Sequence, residues 1–286
     1  MLLPGVILVF IFSYIPMAGM TIAFQKFRPA RGLFGNQEWI GLGNFTYLLD
    51  MPDFKQVIGN TLIIALAKIV LGIAAALIVA LLLNELKALK FKKFVQTSIY
   101  FPHFISWVIL SGILIEVLSP ESGIVNAVIK SFGGSSIFFL ADNRWFPFVL
   151  ILSDVWKNFG YSTIVFLAAI TSINQELYEV AKLDGAGRFK QMLHITLPGM
   201  MPIIVLVSLL SIGGVLDAGF EQVFNLYNPA VYASGDIIDT FVYRTGLLEA
   251  QFGVATAVGV FKSFVSLFLI STSYLLAYKL INYRIF

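Results

Sequence analysis

The 286-residue chain has no cysteine, so neither a disulfide framework nor a thiolate metal site can form. Only two histidines occur, His103 and His194, too few for a zinc cage of their own. Charged residues make up 12% of the chain, against about a quarter in a soluble domain. No long basic run accompanies the net charge of +3, which points to basic loops at a membrane rather than to nucleic acid. There is no G-x-x-x-x-G-K-[ST] phosphate loop, so this chain has no such cradle for ATP. No Pro/Ser-rich linker and no internal repeat divides it. A single membrane domain over 1–286 is expected.

What remains is apolar. Hydrophobic residues reach 58%, and 27 Phe and 11 Tyr suit a lipid-facing surface with aromatic belts. Crossing a bilayer takes about 20 apolar residues at about 1.5 Å each. Six segments qualify, near 2–24, 59–84, 95–118, 146–172, 202–220 and 254–281. The first is too long for a signal-peptide core and lacks a small-residue cleavage site, so it reads as a true span. It opens without a basic flank, and a short basic lead ahead of it is expected. Pro102 interrupts the third span and Gly213-Gly214 the fifth. Broken helices survive in lipid where protein or a wet cavity satisfies the freed backbone, which places both inside the bundle.

Basic residues set the orientation. Lys87, Lys90, Lys92 and Lys93 crowd one short connection, Lys182, Arg188 and Lys190 another, and Arg284 lies in the tail. Loop 25–58 also holds basic residues, but they are diluted and mixed with acids. Loop 221–252 has Arg244 against four acids. Both termini are therefore expected in the cytoplasm.

Residues 174–202, between spans four and five, differ from the rest. Asn174 can cap a short helix with Glu176 in its first turn. Leu177, Val180, Ala181 and Asp184 share one face, and Gly185 can end the helix in a left-handed conformation. A second short helix is expected from Gly187 to His194, with Pro198 starting the next element. The product is a helix-turn-helix whose corner, Asp184-Gly185-Ala186, is small enough for another protein to approach.

Span four is the most polar, with Asp154, Trp156, Lys157, Asn158 and Tyr161. Ionisable groups at that depth are expensive and default to functional hypotheses. Spacing of three to four puts Asp154, Lys157/Asn158 and Tyr161 on one face, an aromatic platform beside amide and carboxylate groups. A structural Asp154–Lys157 pair is the alternative. Lys68 is expected to snorkel, and Glu116 and Lys262 to sit near interfaces or face a partner chain.

The string Glu179-Val-Ala181-x-x-Asp184-Gly185-Ala186, then Phe189 and Ile195-Thr-Leu-Pro198, resembles the EAA loop of ABC importer permeases. Val180 stands where that pattern has its first alanine. Tyr14-Ile-Pro16, Gly41-Leu-Gly-Asn44-Phe45 and Gln251-Phe-Gly253 resemble the carbohydrate-uptake, maltose-type family, and within it the LplB-like branch of oligosaccharide and polysaccharide importers. The resemblance implies an all-α type I permease: six transmembrane helices and a cytoplasmic coupling helix. It implies a second homologous permease, two ATPase subunits holding ATP and Mg, and an extracytoplasmic sugar-binding protein, in a bacterial plasma membrane. No cofactor is expected on this chain. Glu179, Ala181, Asp184, Gly185 and Ala186 would form the ATPase contact. Asp154, Lys157, Asn158 and Tyr161 fall on positions that contact sugar in maltose-type permeases, and His103, Trp107, Asp217 and Gly219 follow by the same logic. A proton-coupled secondary transporter is the main rival and leaves the EAA string unexplained. An intramembrane enzyme lacks a catalytic constellation, and a channel needs no coupling helix.

Overall fold

Proline, glycine and capping side chains decide where each apolar run becomes a helix. The computed structural model describes residues 2–33 and 35–281, so Arg284 lies outside the described residues. Helix α1 (Leu3–Phe24) passes from α through a π turn into 3-10 winding around Pro16, which cannot donate an N–H to the ladder. Strands β1 (Gln25–Lys26) and β2 (Glu38–Trp39) pair antiparallel, with Gln25 opposite Trp39, ahead of the short α2 (Gly43–Asp50). Pro52 opens α3 (Pro52–Glu85), with Asp53 complementing the helix dipole in the first turn. Its 34 residues exceed the length needed to cross a bilayer.

The break at Pro102 is sharper than a kink. Helix α4 (Leu89–Tyr100) runs into a 3-10 turn over Phe101–Phe104, and α5 (Trp107–Val117) then leaves at 99°. Ser106 caps α5 by accepting from the Ile109 N–H. Helices α6 (Ile124–Ser131), α7 (Phe146–Thr171) and α8 (Gln175–Leu183) follow.

The next segment corrects two expectations. No separate helix spans Gly187 to His194. Instead α9 (Arg188–Gly213) is one helix with a π turn at Met192–Thr196. Pro198 has no N–H to give, and the wider turn ahead of it absorbs the lost bond without ending the helix. Span five, expected over 202–220, accordingly ends at Gly213. A turn over 214–219 leads to α10 (Phe220–Leu226); short helical turns at Pro229–Val231 and Tyr232–Gly235 precede α11 (Ile238–Tyr243), and a π turn at Arg244–Leu248 precedes α12 (Phe252–Ile281).

Among the described residues, α1, α3, α9 and α12 are long and apolar enough to cross a membrane, and the bent α4–α5 pair would make a fifth. The 26-residue α7 is as long, but it carries the polar face that begins at Asp154. Helices α3 and α7 form the central pair. One apolar core, built on Phe54, Ile64, Phe146, Leu150 and Phe241, lies at their N-terminal ends. A second, built on Ala76, Ala80, Phe166, Ile170 and Met200, lies toward their C-terminal ends. A polar layer separates the two.

Two glycines set the approach distances. At Gly160, in mid-α7, an added Cβ would run into the backbone carbonyl of Ile99, so only glycine lets α4 cross there. At Gly253 a Cβ would lie 2.8 Å from Asn44 Nδ2. Asn44 donates to the Ala23 and Gln25 carbonyls at 2.8 and 3.1 Å, and Phe24 packs on Phe45. Motif fragments two hundred residues apart thus meet in one knot tying α1, α2 and α12 together.

Candidate functional site

The polar layer begins at Lys68. Its neighbours in α3 are apolar, and its side chain is buried rather than snorkelling. The ammonium donates to the Ala218 carbonyl at 2.6 Å and to Gln222 Oε1, and lies 3.8 Å from Asp154 Oδ1. Gln222, fully buried in α10, donates in turn to the Leu150 carbonyl and Ser153 Oγ of α7. A buried ammonium with neutral acceptors and one carboxylate is satisfied in place, so it has no need to reach an interface.

Asp154 therefore pairs with Lys68, not with Lys157. Lys157, also buried, donates to the His103 carbonyl at 2.6 Å, and its ammonium lies 5.6 Å from the centroid of the Trp107 ring. The break at Pro102 explains this: the 3-10 turn leaves the His103 carbonyl free of the helical ladder and available to a side chain. Asn158 Nδ2 donates to Asp154 at 3.3 Å, which turns its Oδ1 toward His103 Nδ1 at 3.1 Å and sets that nitrogen as the protonated one. The imidazole stacks on the half-exposed Tyr161 ring. All six candidates from the third and fourth spans are thus in one connected network. Trp156 is half exposed and stands outside it.

Asp154 and Asn158 also line a cavity of about 270 Å³ between α3, α7 and α9, and Asp217 and Gly219 close it from the 214–219 turn. Gly219 holds φ +95, and a Cβ there would lie 3.2 Å from Lys68 Nζ. Asp217 is anchored by Lys262 of α12 at 2.6 Å, and the same ammonium holds Asp239 at 2.6 Å. Sequence reasoning left Lys68 and Lys262 without roles and passed over Gln222. An ionisable residue at mid-depth of an apolar span is a signal for the first two; nothing in the sequence marks Gln222.

At the far end of α7, Asn174 Oδ1 accepts from the Glu176 N–H at 3.0 Å and caps α8 as expected. The helix ends in a Schellman pair: Ala186 N–H to the Ala181 carbonyl at 2.8 Å, Gly185 N–H to the Lys182 carbonyl at 3.1 Å. Gly185 supplies the left-handed residue at φ +78, and nothing lies within 4 Å of where its Cβ would be. Tyr178 bonds Thr196 and Gln191 bonds the Ala186 carbonyl, which fixes the corner on the start of α9. Glu179, Asp184, Leu183 and Phe189 are exposed around that open corner. At the opposite end, Arg244 pairs with the buried Asp236 at 2.8 Å and covers the Tyr232 ring.

Residues 68–286 match the family model for the binding-protein-dependent transport system inner membrane component. The chain belongs to that family. It is a membrane-spanning permease component working with a substrate-binding protein, not an enzyme, and its fold is the mostly helical type I permease fold. This sets aside the proton-coupled carrier. It is similar to the polygalacturonan/rhamnogalacturonan transport system permease protein YteP of Bacillus subtilis, at 45% identity over 279 residues, 98% of this chain and 87% of that protein. It is similar also to Protein LplB of the same organism, at 42% over 94% of this chain and 85% of that one. In structure it resembles a chain of a bacterial ABC transporter involved in the import of the acidic polysaccharide alginate. The TM-score is 0.90 at 38% identity, covering 98% of this chain and 94% of that chain.

Proposed function

We propose that this permease imports oligosaccharide or polysaccharide fragments rich in uronate, in an ATP-driven complex with a second permease and two ATPase subunits. The observation that carries the substrate class is the setting of Lys157: its ammonium holds the His103 carbonyl, and no described carboxylate lies within 4.0 Å of it. Beside it lie Trp107 and the stacked His103–Tyr161 pair. Aromatic faces suit the C–H faces of sugar rings, Asn158 and Asp154 suit hydroxyls, and an ammonium suits a carboxylate. The named substrates of YteP and of the alginate transporter point the same way.

In this reading six spans cross a bacterial plasma membrane with both termini in the cytoplasm, and the bent α4–α5 pair counts as one of them. ATP and Mg stay on the ATPase subunits, and this chain holds no cofactor. Residues 174–202 form a cytoplasmic coupling element within a single domain. There Glu179 pairs with a basic group of the ATPase, while Ala181, Asp184, Gly185 and Ala186 form the close corner. ATPase closure moves α8, and rigid-body motion of the two permeases turns the cavity from one side to the other.

Uptake by the full complex in proteoliposomes tests both halves. Lys157→Gln is expected to raise KM for a uronate oligosaccharide by about tenfold and to leave a neutral one of equal length unaffected. Equal effects on both would refute the acidic class. Gly185→Trp is expected to assemble, yet to lose stimulation of ATP hydrolysis by the loaded binding protein. Wild-type uptake by that variant would refute the coupling role.

A further inference from the structure

The turn over 214–219 is gripped from two sides by lysines in the apolar middles of two helices, Lys68 of α3 and Lys262 of α12. We propose that Lys68 and Lys262 are positioning residues for the pathway: Lys68 is the fixed anchor of this turn, and Lys262 the clasp that releases Asp217.

The two grips differ in kind. Lys68 is buried and bound to a backbone carbonyl, an amide and a carboxylate, and Gln222 carries the tie on into α7. Giving it up would strand an ammonium between two apolar cores. Gly219 is the residue that allows the ammonium this close. Lys262 is bound to two carboxylates of unequal exposure: the Asp217 side chain is 73% exposed, that of Asp239 26%. If Asp217 lets go, Asp239 still compensates the ammonium, and a freed Asp217 faces the cavity that Asp154 and Asn158 line. A carboxylate released there accepts hydrogen bonds from sugar hydroxyls. Val215, Leu216 and Ala218 are buried in the apolar core, so the turn moves about its packed side rather than unfolding.

The inference rests on the transport reading, but its test needs no sugar. Since the chain has no cysteine, Ser211→Cys places a single thiol on the cavity wall next to the turn. In the full complex in nanodiscs, its rate of labelling by a charged thiol reagent reports how open the turn stands. Lys262→Met is expected to speed labelling by about tenfold with or without ATP. Asp239→Asn, which leaves Lys262 only Asp217, is expected to slow it by a similar factor. Lys68→Met is expected to speed labelling and to lower turnover with KM little changed. If it does not assemble, the opposed shifts of Lys262→Met and Asp239→Asn carry the test. Rates for those two within about twofold of the parent would overturn the proposal. Opposed shifts without transport of any uronate sugar would refute the substrate class and leave the clasp standing.

Discussion

The His103 imidazole lies flat on the Tyr161 ring, with centroids 4.2 Å apart and planes 8° from parallel. One residue comes from the break in the third span and the other from the unbroken α7, so the stack ties the broken span to the continuous one. Asn158 fixes the imidazole edge, and Lys157 holds the His103 carbonyl below it. The pair is thus oriented before any ligand arrives.

Removing one face of that stack tests whether orientation matters. Tyr161→Leu keeps an apolar side chain but forfeits an aromatic pair of about 0.5–1.5 kcal/mol. KM for uptake is expected to rise by about three- to tenfold with the assembled complex intact on size exclusion. Tyr161→Phe is expected to stay near wild type. A Phe variant as impaired as Leu would assign the role to the hydroxyl instead.

The crossing at Gly160 gives a stability prediction. Gly160→Ala places a methyl group against the Ile99 carbonyl, a backbone atom that cannot swing aside. A loss of about 1–3 kcal/mol is expected, as for other overpacked interiors. It should register as a lower melting temperature in detergent. Gly185→Ala, where the space is open but φ is +78, is expected to disturb the Asp184–Ala186 corner and not the melting temperature of the bundle.

Acid should act through Asp236. Burial pushes its carboxyl above the ordinary 3.8, and the Thr240 hydroxyl and the Arg244 charge offset only part of that. A raised acid binds its proton more readily folded than unfolded, so its contribution to stability is full below the unfolded value. That contribution is lost as pH rises through the folded one. The melting temperature of wild type relative to Asp236→Asn is therefore expected to rise as pH falls from 7 toward 4. A difference that is flat, or that falls with acid, would contradict this.

Breaking the knot at Asn44 should separate two motif fragments. Gly253→Val is expected to push Asn44 off the Ala23 and Gln25 carbonyls and to loosen α1. Protease accessibility of the 25–42 hairpin in intact vesicles reads this out, with α3 to α11 unaffected.

Much of this was legible in the residues because local rules apply at helix ends. The Asn174 cap, the Gly185 turn and the Pro102 break depend on neighbours within a few positions, and all three stand where spacing put them. The failures share a cause as well. The Asp154–Lys157 pair, the alternative that a shared position on α7 left open, does not form: the partner of Asp154 comes from α3 and that of Lys157 from the turn after α4. Contacts across helices depend on packing that one chain position does not encode. Pro198 does stand in the first turn of the α-wound stretch Leu197–Gly213, but a π turn at Met192–Thr196 joins that stretch to Arg188–Gln191 in one continuous helix, which spacing did not reveal.

That continuity has a mechanical meaning. Helix α9 starts beside the Gly187 corner and stops at the 214–219 turn, so one continuous helix of 26 residues links the exposed corner to the turn that Lys68 and Lys262 hold. At about 1.5 Å per residue it is a lever of about 39 Å, and a tilt of about 10° at one end sweeps the other through about 7 Å. A small displacement at the corner would thus arrive at Asp217 as a stroke as long as a sugar ring is wide, with no signal relayed from side chain to side chain.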